Sequence, residues 1–507
     1  VTGSGKSEVY IRSARRALAA GHGVIVLLPE IALTRQITAW FEQYLGEAAV
    51  LHSGMTPSER SHTWERIRRG ELKLVIGARS AIFAPVRDLK LIIVDEEQEN
   101  SYKQEERPRY HAREVARQRA QMNAAVLLLG SATPSLESAY RAFSGSSRLL
   151  MMENRVSRQT LPSIEVDDLK KYRRQGIKSI YPRLEQALRI NLELKRQSIL
   201  FINRRGFAPQ LICRACGAVQ QCPSCSVAMN YHRDLEALLC HYCGFRQPLP
   251  QRCAVCDSNY LQLLGSGTQK LEDEVAKLFP SARVSRMDID SSRRKGEQER
   301  ILKAMRSGDI DILIGTQMVA KGLDFPGVAL VGIVDADSML NLPDFRAGER
   351  SYQLMVQVAG RAGRGDHPGQ VLIQTWQPQH PIIALAQEQN YFAFYTREIS
   401  FRKQLNYPPF CHILRLLLSG PDEAAVARAG TALAEHILEL TDASEEQLEL
   451  LGPAPCAIRK IKDSFRVQIL LKCNNIYLLQ SLASALVRQH SRSVCRLETD
   501  MDPLMLM

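Results

Sequence analysis

Short apolar runs alternate with amphipathic stretches along the first 160 residues. Helical spacing of apolar positions begins at Glu8 and ends at Ala20, just before Gly21. Uninterrupted apolar runs separated by helices are typical of a parallel sheet covered on both faces, so we predict an α/β domain over residues 1–160. Ligands of such a sheet bind at the carboxyl ends of its strands. The predicted strands are 24–28, 50–51, 74–76, 91–94 and 126–129.

The same alternation returns after residues 144–180, whose weak periodicity is typical of a linker. A helix is predicted over 184–195 and a strand over 199–202, and the pattern then stops for about 50 residues. We therefore predict a second α/β domain that begins within 161–207, is interrupted by an insertion at 208–262 and continues over 263–400. Its later strands are predicted at 284–287, 310–314, 330–334 and 371–373.

Residues 401–507 carry a different pattern, in which two helices lie between four strands. The predicted order is β-α-β-β-α-β, with helices over 422–440 and 476–489 and a pair of strands flanking Asp463 and Ser464. This order indicates an α+β, ferredoxin-like or split arrangement. The segment has no catalytic constellation, so a binding domain and a purely structural cap are equally compatible with its sequence.

Composition places the chain among globular proteins and weakly favours an anionic partner. Of its 507 residues 45% are hydrophobic and 24% charged, and no run approaches the roughly 18 apolar residues that a membrane span requires. Lysine and arginine number 66 against 54 acidic residues, a net charge of +12. The basic residues cluster at 170–174, 293–295 and 459–462, which favours nucleic acid, although solubility explains a modest excess equally well.

The chain opens on the end of a phosphate-binding loop, Val1-Thr-Gly-Ser-Gly-Lys-Ser7. Small residues at Thr2, Gly3, Ser4 and Gly5 let backbone N–H groups surround phosphates, Lys6 supplies a point charge, and Ser7 can ligate Mg²⁺. An ordinary helix N-terminus is the alternative. The first glycine of the pattern would precede Val1. We expect it there, together with the strand that feeds the loop, and we expect the chain as written to bind ATP poorly.

Two further predicted strands end in polar chemistry. The strand at 91–94 leads into Asp95 and Glu96, and we predict that Asp95 holds Mg²⁺ through water while Glu96 orients and deprotonates the attacking water. An acidic surface turn is the alternative, which the phosphate loop about 90 residues upstream disfavours. The strand at 126–129 leads into a hydroxyl-bearing loop that contains Ser131 and Thr133.

Eight of the 12 cysteines fall within the insertion, as four Cys-x-x-Cys pairs. This spacing lets two thiolates reach one tetrahedral Zn²⁺, so four pairs predict two closed, structural zinc sites. An iron–sulfur cluster is the less favoured alternative. Three ways of pairing remain open from the spacing alone. The pairs are Cys213 with Cys216, Cys222 with Cys225, Cys240 with Cys243, and Cys253 with Cys256.

In their order these segments resemble the motifs of superfamily 2 nucleic-acid helicases. The matching segments are 28–34, 77–80, 95–98, 131–133, 314–326 and 357–364. The resemblance implies two RecA-like lobes with ATP between them. It implies nucleotide contacts from Gly322, Asp324 and Gln357, and arginines that stabilise transition-state charge at Arg361 and Arg364, for which a basic turn is the weaker alternative. It implies coupling of hydrolysis to movement through Gln98, Ser131 and Thr133.

DNA contacts follow from the resemblance and from one aromatic segment. The resemblance implies contacts with a single strand from Pro29, Glu30, Arg79, Ser80 and Thr316. The segment 102–111 interleaves Tyr102 and Tyr110 with several cations, which suits the stacking of unpaired bases, although a plain polar connector is almost as compatible.

Two features narrow the resemblance to the primosomal helicase family of bacterial replication restart. They are the double cysteine insertion after Asn203-Arg-Arg-Gly-Phe207 and the segment Arg109-Tyr-His-Ala-Arg113. The resemblance covers essentially the whole chain. It implies that the outer cysteine pairs (213, 216, 253, 256) hold one zinc and the inner pairs (222, 225, 240, 243) the other. It also implies further DNA-binding parts before Val1.

The implied activity is ATP-dependent 3′→5′ unwinding of DNA at stalled or recombined forks, with loading of the replicative helicase. The cofactors would be ATP, Mg²⁺ and two Zn²⁺. The partners would be forks and single strands, primosome proteins, the replicative helicase loader and single-stranded DNA-binding protein, in the bacterial cytoplasm and without a membrane. Two alternative functions remain open. One is a duplex translocase without strand separation, and the other is a zinc-stabilised DNA and protein scaffold with incidental ATPase.

Two positions depart from the family pattern. The family usually has histidine where this chain has Gln98. This difference puts the coupling of ATP hydrolysis to strand movement in question more than hydrolysis itself. Ala78 stands where a hydroxyl is commoner, so one phosphate contact is expected to be lost.

Overall fold

A computed structural model describes most of the chain, and its two compact units comprise the described residues of 3–154 and the described residues of 162–506. The described ranges are 3–29, 35–52, 54–154, 162–174, 178–202, 210–223, 227–232, 235–240, 243–264, 268–287, 297–316, 325–363, 367–441, 448–490 and 495–506. Within these ranges, no helix combines the length and the apolar character that crossing a bilayer requires.

The first unit is built on a five-stranded parallel sheet with the strand order β2-β3-β1-β4-β5. Its strands are apolar because both faces are covered by helices, and β1 and β3 are buried at every position. Its elements are α1 (Lys6–Ala19), β1 (Gly23–Leu27), α2 (Arg35–Leu45), β2 (Ala49–Leu51), α3 (Pro57–Arg69), β3 (Leu74–Gly77), β4 (Leu89–Asp95), α4 (Ala112–Met122), β5 (Val126–Gly130) and α5 (Leu136–Phe143).

The parallel arrangement collects the chemistry of this unit at one edge of the sheet. Strands β1, β3, β4 and β5 run in the same direction, so the residues that follow each strand lie along the same edge. They include the acidic segment at 95–98 and the loop at 131–133, both of which were predicted to follow strands. Strand β5 is at the end of the sheet, and its first residue, Val126, is 64% exposed.

The described residues of the second unit form three sheets. Its elements are β6 (Ser163–Asp168), α6 (Pro182–Glu193), β7 (Gln197–Ile202), β8 (Gln210–Cys213), β9 (Asn230–His232), β10 (Ala237–Leu239), β11 (Arg246–Pro248), β12 (Leu261–Leu264), α7 (Thr268–Leu278), β13 (Val284–Met287), α8 (Glu297–Ser307), β14 (Ile312–Gly315), β15 (Val328–Val334), α9 (Ala336–Leu340), α10 (Ala347–Ala359), β16 (Gln370–Thr375), α11 (Pro381–Gln387), α12 (Tyr391–Gln404), β17 (His412–Gly420), α13 (Glu423–Thr441), β18 (Glu449–Ile461), β19 (Ser464–Cys473), α14 (Ile476–His490) and β20 (Arg496–Met501).

The largest of these sheets is parallel, as predicted, with the order β13-β14-β7-β15-β16-β6. Strand β6 was not predicted, because it lies inside the stretch that its weak periodicity assigned to a linker. It pairs with β16 in register from Ser163 to Asp168, and only Ile164 and Asp167 among its six residues are buried. An edge strand that is buried on one side does not produce the continuous apolar run by which the central strands were identified.

The insertion forms a small antiparallel sheet with the order β11-β10-β9-β8-β12. Residues 403–506 include a second antiparallel sheet with the order β18-β19-β17-β20, and helices α13 and α14 pack on it. Together with the β-α-β-β-α-β chain order, this is the ferredoxin-like arrangement that the sequence predicted, and the prediction is confirmed.

The insertion and the C-terminal domain share one hydrophobic core. Its members come from the cysteine insertion (Leu211, Cys222, Val227, Met229, Leu238, Cys240), from the loop before α10 (Phe345) and from the C-terminal domain (Tyr407, Cys411, Ile413, Leu470, Leu506). Because apolar burial is the main stabilising term of folding, this shared core joins the two domains within the second unit.

Candidate nucleotide site and cysteine clusters

The phosphate loop leads directly into α1. Gly3 and Gly5 have φ of 77° and 84°, in the left-handed region that glycine adopts without strain, and Gly5 is the residue before the helix. Ser4 between them is buried, and its Oγ has no hydrogen-bond partner among the described residues. Ser7 is exposed in the first turn of the helix, and Thr2 lies outside the described residues.

Helix α1 contacts both acidic residues that follow β4. Lys6 Nζ lies 2.9 Å from Glu96 Oε1, and the Tyr10 hydroxyl donates to Asp95 Oδ1 at 2.8 Å. Lys6 and Tyr10 are four residues apart and therefore lie on the same face of the helix. Glu96 has a φ of 45°, a conformation that few non-glycine residues adopt and that often marks functional turns. The structure thus brings together Lys6, Asp95 and Glu96, which the sequence predicted as one site.

The electrostatics of this edge follow from two adjacent carboxylates with little water. Desolvation, and then the charge of Glu96, raise the pKa of Asp95 to about 6, while Lys6 acts in the opposite direction. Burial and the adjacent carboxylates raise the pKa of the Tyr10 hydroxyl well above its ordinary value, so Tyr10 is a neutral donor. A cation placed at this edge would relieve the repulsion between the carboxylates.

Gln98 connects the acidic segment to the loop after β5. Its Nε2 donates to Glu96 Oε2 at 2.8 Å, and its Oε1 accepts from the Ser131 hydroxyl at 2.5 Å. Ser131 Oγ in turn accepts from the backbone N–H of Thr133 at 2.9 Å. Gln98, Ser131 and Thr133, which were predicted to couple hydrolysis to movement, are thus joined by hydrogen bonds, and the neutral Gln98 side chain both donates and accepts.

A second, buried network behind this edge was not predicted. Arg113 Nη1 lies 2.7 Å from Glu97 Oε2, and Glu97 Oε1 accepts from the backbone N–H of Ser135 at 2.7 Å. Ser138 donates to the same carboxylate at 2.9 Å. In the sequence, Arg113 served only as part of the segment that marks the family. It stands at the start of a helix, where an exposed arginine is common, so its position did not indicate a buried partner. The network ties α4 and α5 to the residue next to Glu96.

One residue that was predicted to contact DNA in the first unit has a different role. Tyr102 is fully buried, and its hydroxyl donates to the backbone carbonyls of Leu27 and Asp95. A ring with no exposed face cannot stack on a base, so that prediction is wrong in this structure. Tyr102 is a core residue that joins β1 to the end of β4.

The other residues of this unit that were predicted to contact DNA differ in their contacts and exposure. Arg79 uses Nη1 to donate to the carbonyls of Ser101 and Lys103, at 3.1 and 2.6 Å, and thereby holds the loop that follows β4. Tyr110 is partly buried and packs edge-on against Phe83, with ring centroids 4.9 Å apart. Ser80 is exposed and Pro29 is buried. Glu30 lies outside the described residues.

In the second unit, the predicted motif residues that can be placed lie at strand and helix ends. Thr316 follows β14 and is 7% exposed. Gln357 is buried in α10, a helix whose described positions are buried nearly all round, and Arg361 follows the end of that helix and is partly exposed. Gly322, Asp324 and Arg364 lie outside the described residues.

The cysteines of the insertion gather into two clusters. In the first, Cys213, Cys216, Cys253 and Cys256 have sulfur atoms within 4.8 Å of one another, with Sγ–Sγ distances of 3.7 Å (213 to 256) and 3.6 Å (216 to 253). In the second, Cys222, Cys240 and Cys243 meet the same limit, and Cys225 lies outside the described residues. Among the described cysteines the order is nested, with the outer pairs together and Cys222 together with Cys240 and Cys243.

The sulfur spacing fits tetrahedral zinc. A Zn–S bond of about 2.3 Å places tetrahedral sulfur ligands about 3.7–3.8 Å apart, and Cys222 and Cys243 lie 3.6 Å apart. Four thiolates close the coordination sphere, so such a site has no position for a substrate or a reactive water. The first cluster therefore suits structural zinc, and the three described cysteines of the second cluster have the sulfur spacing of a zinc site.

Family models match most of the chain. The model described as DEAD/DEAH box helicase matches residues 1–142, and the helicase conserved C-terminal domain matches residues 258–366. The PriA DNA helicase Cys-rich region domain matches residues 222–248, and the primosomal protein N C-terminal domain matches residues 403–504. The two helicase matches make the parallel sheets RecA-like lobes, and the fold predicted from the sequence is confirmed.

Relatives match over nearly the full length of the chain. The replication restart protein PriA of Bacillus subtilis (strain 168) is 43% identical over 100% of this chain and 63% of its own length. PriA of Treponema pallidum (strain Nichols) is 41% identical over 99% of this chain and 76% of its own length. A solved structure of the DUF1998 helicase MrfA bound to DNA has 15% identity and a TM-score of 0.46, and covers 78% of this chain and 46% of that one. The chain thus spans less than two thirds of the length of the Bacillus relative.

Proposed function

The chain belongs to the family of the replication restart protein PriA, and from this premise we propose that it is the motor of an ATP-dependent DNA helicase that restarts stalled replication. The observation that carries the proposal is the site in which α1 brings Lys6 to the carboxylate pair after β4. A glycine loop, a lysine and two carboxylates at the carboxyl edge of a parallel sheet are the parts that phosphoryl transfer from ATP requires.

The residues present fit a nucleotide with its metal ion. The buried and unpartnered Ser4 Oγ, the left-handed Gly3 and Gly5 and the N-terminus of α1 together form a cradle with hydrogen-bond capacity for phosphate oxygens. Ser7 and Asp95 would hold Mg²⁺, which when bound neutralises charge on the phosphates. Asp95 is suited to this role because its carboxylate is desolvated next to a second one.

Lys6 and Glu96 would change partners when ATP binds. In this structure the lysine is occupied by Glu96, at 2.9 Å. The phosphates offer Lys6 a stronger set of acceptors, and the released Glu96 carboxylate can then orient a water molecule and take its proton. Gln98 is bonded to the other oxygen of Glu96, so movement of Glu96 reaches Ser131 directly. This is the route by which hydrolysis would be coupled to movement along DNA.

The remaining features of the proposal rest on family membership. They are 3′→5′ unwinding of stalled or recombined forks, loading of the replicative helicase with primosome proteins, the loader and single-stranded DNA-binding protein as partners, and action in the bacterial cytoplasm. Two Zn²⁺ in the cysteine clusters would have a structural role, and Arg361 and Arg364 would stabilise transition-state charge.

The experiment that tests the nucleotide site replaces its lysine. We expect Lys6→Ala in the whole protein to abolish DNA-stimulated ATPase and to leave DNA binding measurable, because the lysine contacts phosphates and not DNA. Lys73→Ala is the matched control, since Lys73 is an exposed lysine of the same unit just before β3, at the amino end of the sheet. ATPase that persists at the wild-type rate in Lys6→Ala would refute the assignment. Helicase loading by Lys6→Ala at the wild-type level would instead favour a scaffold with incidental ATPase.

Translocation along duplex DNA without strand separation is the second candidate. The residue that favours it is Gln98, which bridges Glu96 and Ser131 where the family usually has histidine. A strand-displacement assay separates the candidates, because a helicase releases the labelled strand and a pure translocase hydrolyses ATP without doing so. We expect Gln98→Ala to reduce displacement much more than ATP hydrolysis, since it removes the bridge and leaves Lys6, Asp95 and Glu96 in place.

A further inference from the structure

Tyr10 takes part in the nucleotide site without a role in the proposed hydrolysis. Its hydroxyl donates to Asp95 Oδ1 at 2.8 Å, one helical turn beyond the contact of Lys6 with Glu96. The two adjacent carboxylates are therefore each held by one residue of α1. No function was predicted for Tyr10 from the sequence, where it is one position of the helical pattern over residues 8–20.

The position of the Tyr10 ring is determined from several sides. The residue is 3% exposed and belongs to the core cluster that contains Ile11, Val26 and Ile93. Its hydroxyl lies against Gly130, which pairs in register with Asp95 on the neighbouring strand. A Cβ at residue 130 would overlap the Tyr10 hydroxyl oxygen, so a side chain there would displace the phenol from Asp95. The Asp95 bond thus depends on glycine at position 130.

The chemistry of this contact suits a residue that positions a metal ligand. A tyrosine hydroxyl fixes a carboxylate through a directional bond and adds no positive charge that would repel a cation. The carboxylate keeps acceptor capacity for further bonds, because its two oxygens together offer about four lone-pair sites. Lys6 must leave Glu96 to reach phosphates, whereas Tyr10 has no such competing acceptor in the proposed reaction. The Tyr10 bond can therefore persist in the nucleotide-bound state.

We propose that Tyr10 is a positioning residue that holds the Asp95 carboxylate in place for the divalent cation bound with the nucleotide, and that Gly130 is required because the phenol occupies its side-chain space. This inference rests on the proposed function. It extends the site by a residue that contacts neither nucleotide nor DNA and acts through Asp95. Metal ligands that are held by a second layer of hydrogen bonds lose about 10- to 100-fold in metal affinity when that layer is removed.

The test is the linkage between Mg²⁺ and nucleotide affinity in the whole protein. Binding of a fluorescent, non-hydrolysable ATP analogue is measured with excess Mg²⁺ and with a chelator. We expect Tyr10→Phe, which keeps the ring and removes the hydroxyl, to reduce the affinity gained from Mg²⁺ by about tenfold or more. Its affinity without Mg²⁺ should match wild type, since the phosphate loop is untouched. Tyr44→Phe, at an exposed position of α2, is the matched control and should leave both affinities unchanged.

Two further variants keep the inference falsifiable. Gly130→Ala retains the hydroxyl but displaces it, so it should show the same loss of the Mg²⁺-linked gain. In an Asp95→Asn background, Tyr10→Phe should add nothing, because the group that it positions is already altered. A full Mg²⁺-linked gain in Tyr10→Phe overturns the inference and leaves the proposed function standing. Wild-type protein that binds no nucleotide with or without Mg²⁺ overturns the proposed function itself.

Discussion

At the scale of single residues, the tyrosines show how far a pattern reaches. Tyr102 lies among cations and predicts a stacking platform, yet its side chain is fully buried and bonded to two backbone carbonyls. Tyr10 also has cations near it in sequence, yet its role is set by its contact with Asp95 at 2.8 Å. Composition around a residue reports its chain neighbours, whereas Leu27 and Asp95, which Tyr102 and Tyr10 contact, lie 75 and 85 residues away from them in sequence.

Glu398 gives a prediction at this scale. It is 7% exposed, and burial raises its pKa to about 7, with Glu349 acting in the same direction and Arg402 and Arg397 against it. Arg402 is already committed to Glu349 at 2.5 Å. The folded state therefore binds the Glu398 proton more tightly than the unfolded state does. The stability that this provides is complete below the ordinary glutamate pKa and is lost as the pH rises through about 7.

We expect Glu398→Gln to flatten this pH dependence. Between about pH 5 and pH 8 the unfolding free energy of wild type should fall by up to roughly 2–3 kcal/mol more than that of the variant. Urea unfolding of the second unit at both pH values measures this difference. Glu388→Gln, at an exposed position just beyond α11, is the control and should behave as wild type. Equal pH dependence in Glu398→Gln and wild type would contradict the prediction.

At the scale of elements, the strands of the two parallel sheets were predicted, with the exception of β6. Strands β1, β3, β4, β7 and β15 coincide with predicted apolar runs to within a few residues, because strands with both faces covered are apolar throughout. Strand β6 was missed because only two of its six residues, Ile164 and Val166, are apolar. The helix pattern likewise located α1, but only the structure shows that its buried face contacts Asp95 and Glu96.

Two glycines of the cysteine insertion give a prediction at this scale. Gly217 and Gly244 each follow a cysteine pair and have φ of 84° and 79°. A Cβ at Gly217 would overlap the backbone carbonyl of Trp376, whereas the nearest atom to a Cβ at Gly244 is 3.8 Å away. Both alanine variants should suffer the strain of a left-handed residue, of about 1 kcal/mol, but only Gly217→Ala adds a clash with backbone.

We expect Gly217→Ala to lose roughly 1–3 kcal/mol more stability than Gly244→Ala, and to release zinc from the first cluster faster in the presence of a chelator. Thermal unfolding and a colorimetric zinc assay measure the two effects. Gly244→Ala thus serves as the matched control for backbone strain. Identical behaviour of the two variants would mean that packing on Trp376 does not matter.

At the scale of the second unit as a whole, the inner cysteine cluster and the C-terminal domain belong to one core. Cys222 and Cys240 are buried in the same cluster as Tyr407, Ile413 and Leu470. The C-terminal segment is also tied to the loop before α10, since Arg346 donates to the carbonyl of Pro503 and Arg350 to that of Leu504. None of the four cysteines of the outer cluster belongs to this core, which includes only Leu211 from β8, the strand that ends at Cys213. Loss of the two metals should therefore have different consequences.

We expect Cys240→Ala to remove one of two zinc ions and to increase hydrogen exchange in β17 and β19, because the inner site supports the shared core. Cys256→Ala is the matched control. It should also reduce zinc content to about one ion per chain, but it lies in the outer cluster and is exposed, so β17 and β19 should keep their protection. Increased exchange of these strands in both variants to the same extent would contradict separate roles for the two sites.

The sequence by itself determined which motifs are candidates for chemistry, and the tertiary structure decided how their residues are connected. The phosphate loop, the Asp95–Glu96 pair, the cysteine pairs and the parallel and ferredoxin-like sheets were all predicted, because each depends on short spacings or on local periodicity. The Glu97–Arg113 network, the burial of Tyr102 and the bond from Tyr10 to Asp95 depend on contacts between distant segments. Such contacts follow from packing, and local patterns contain no record of them.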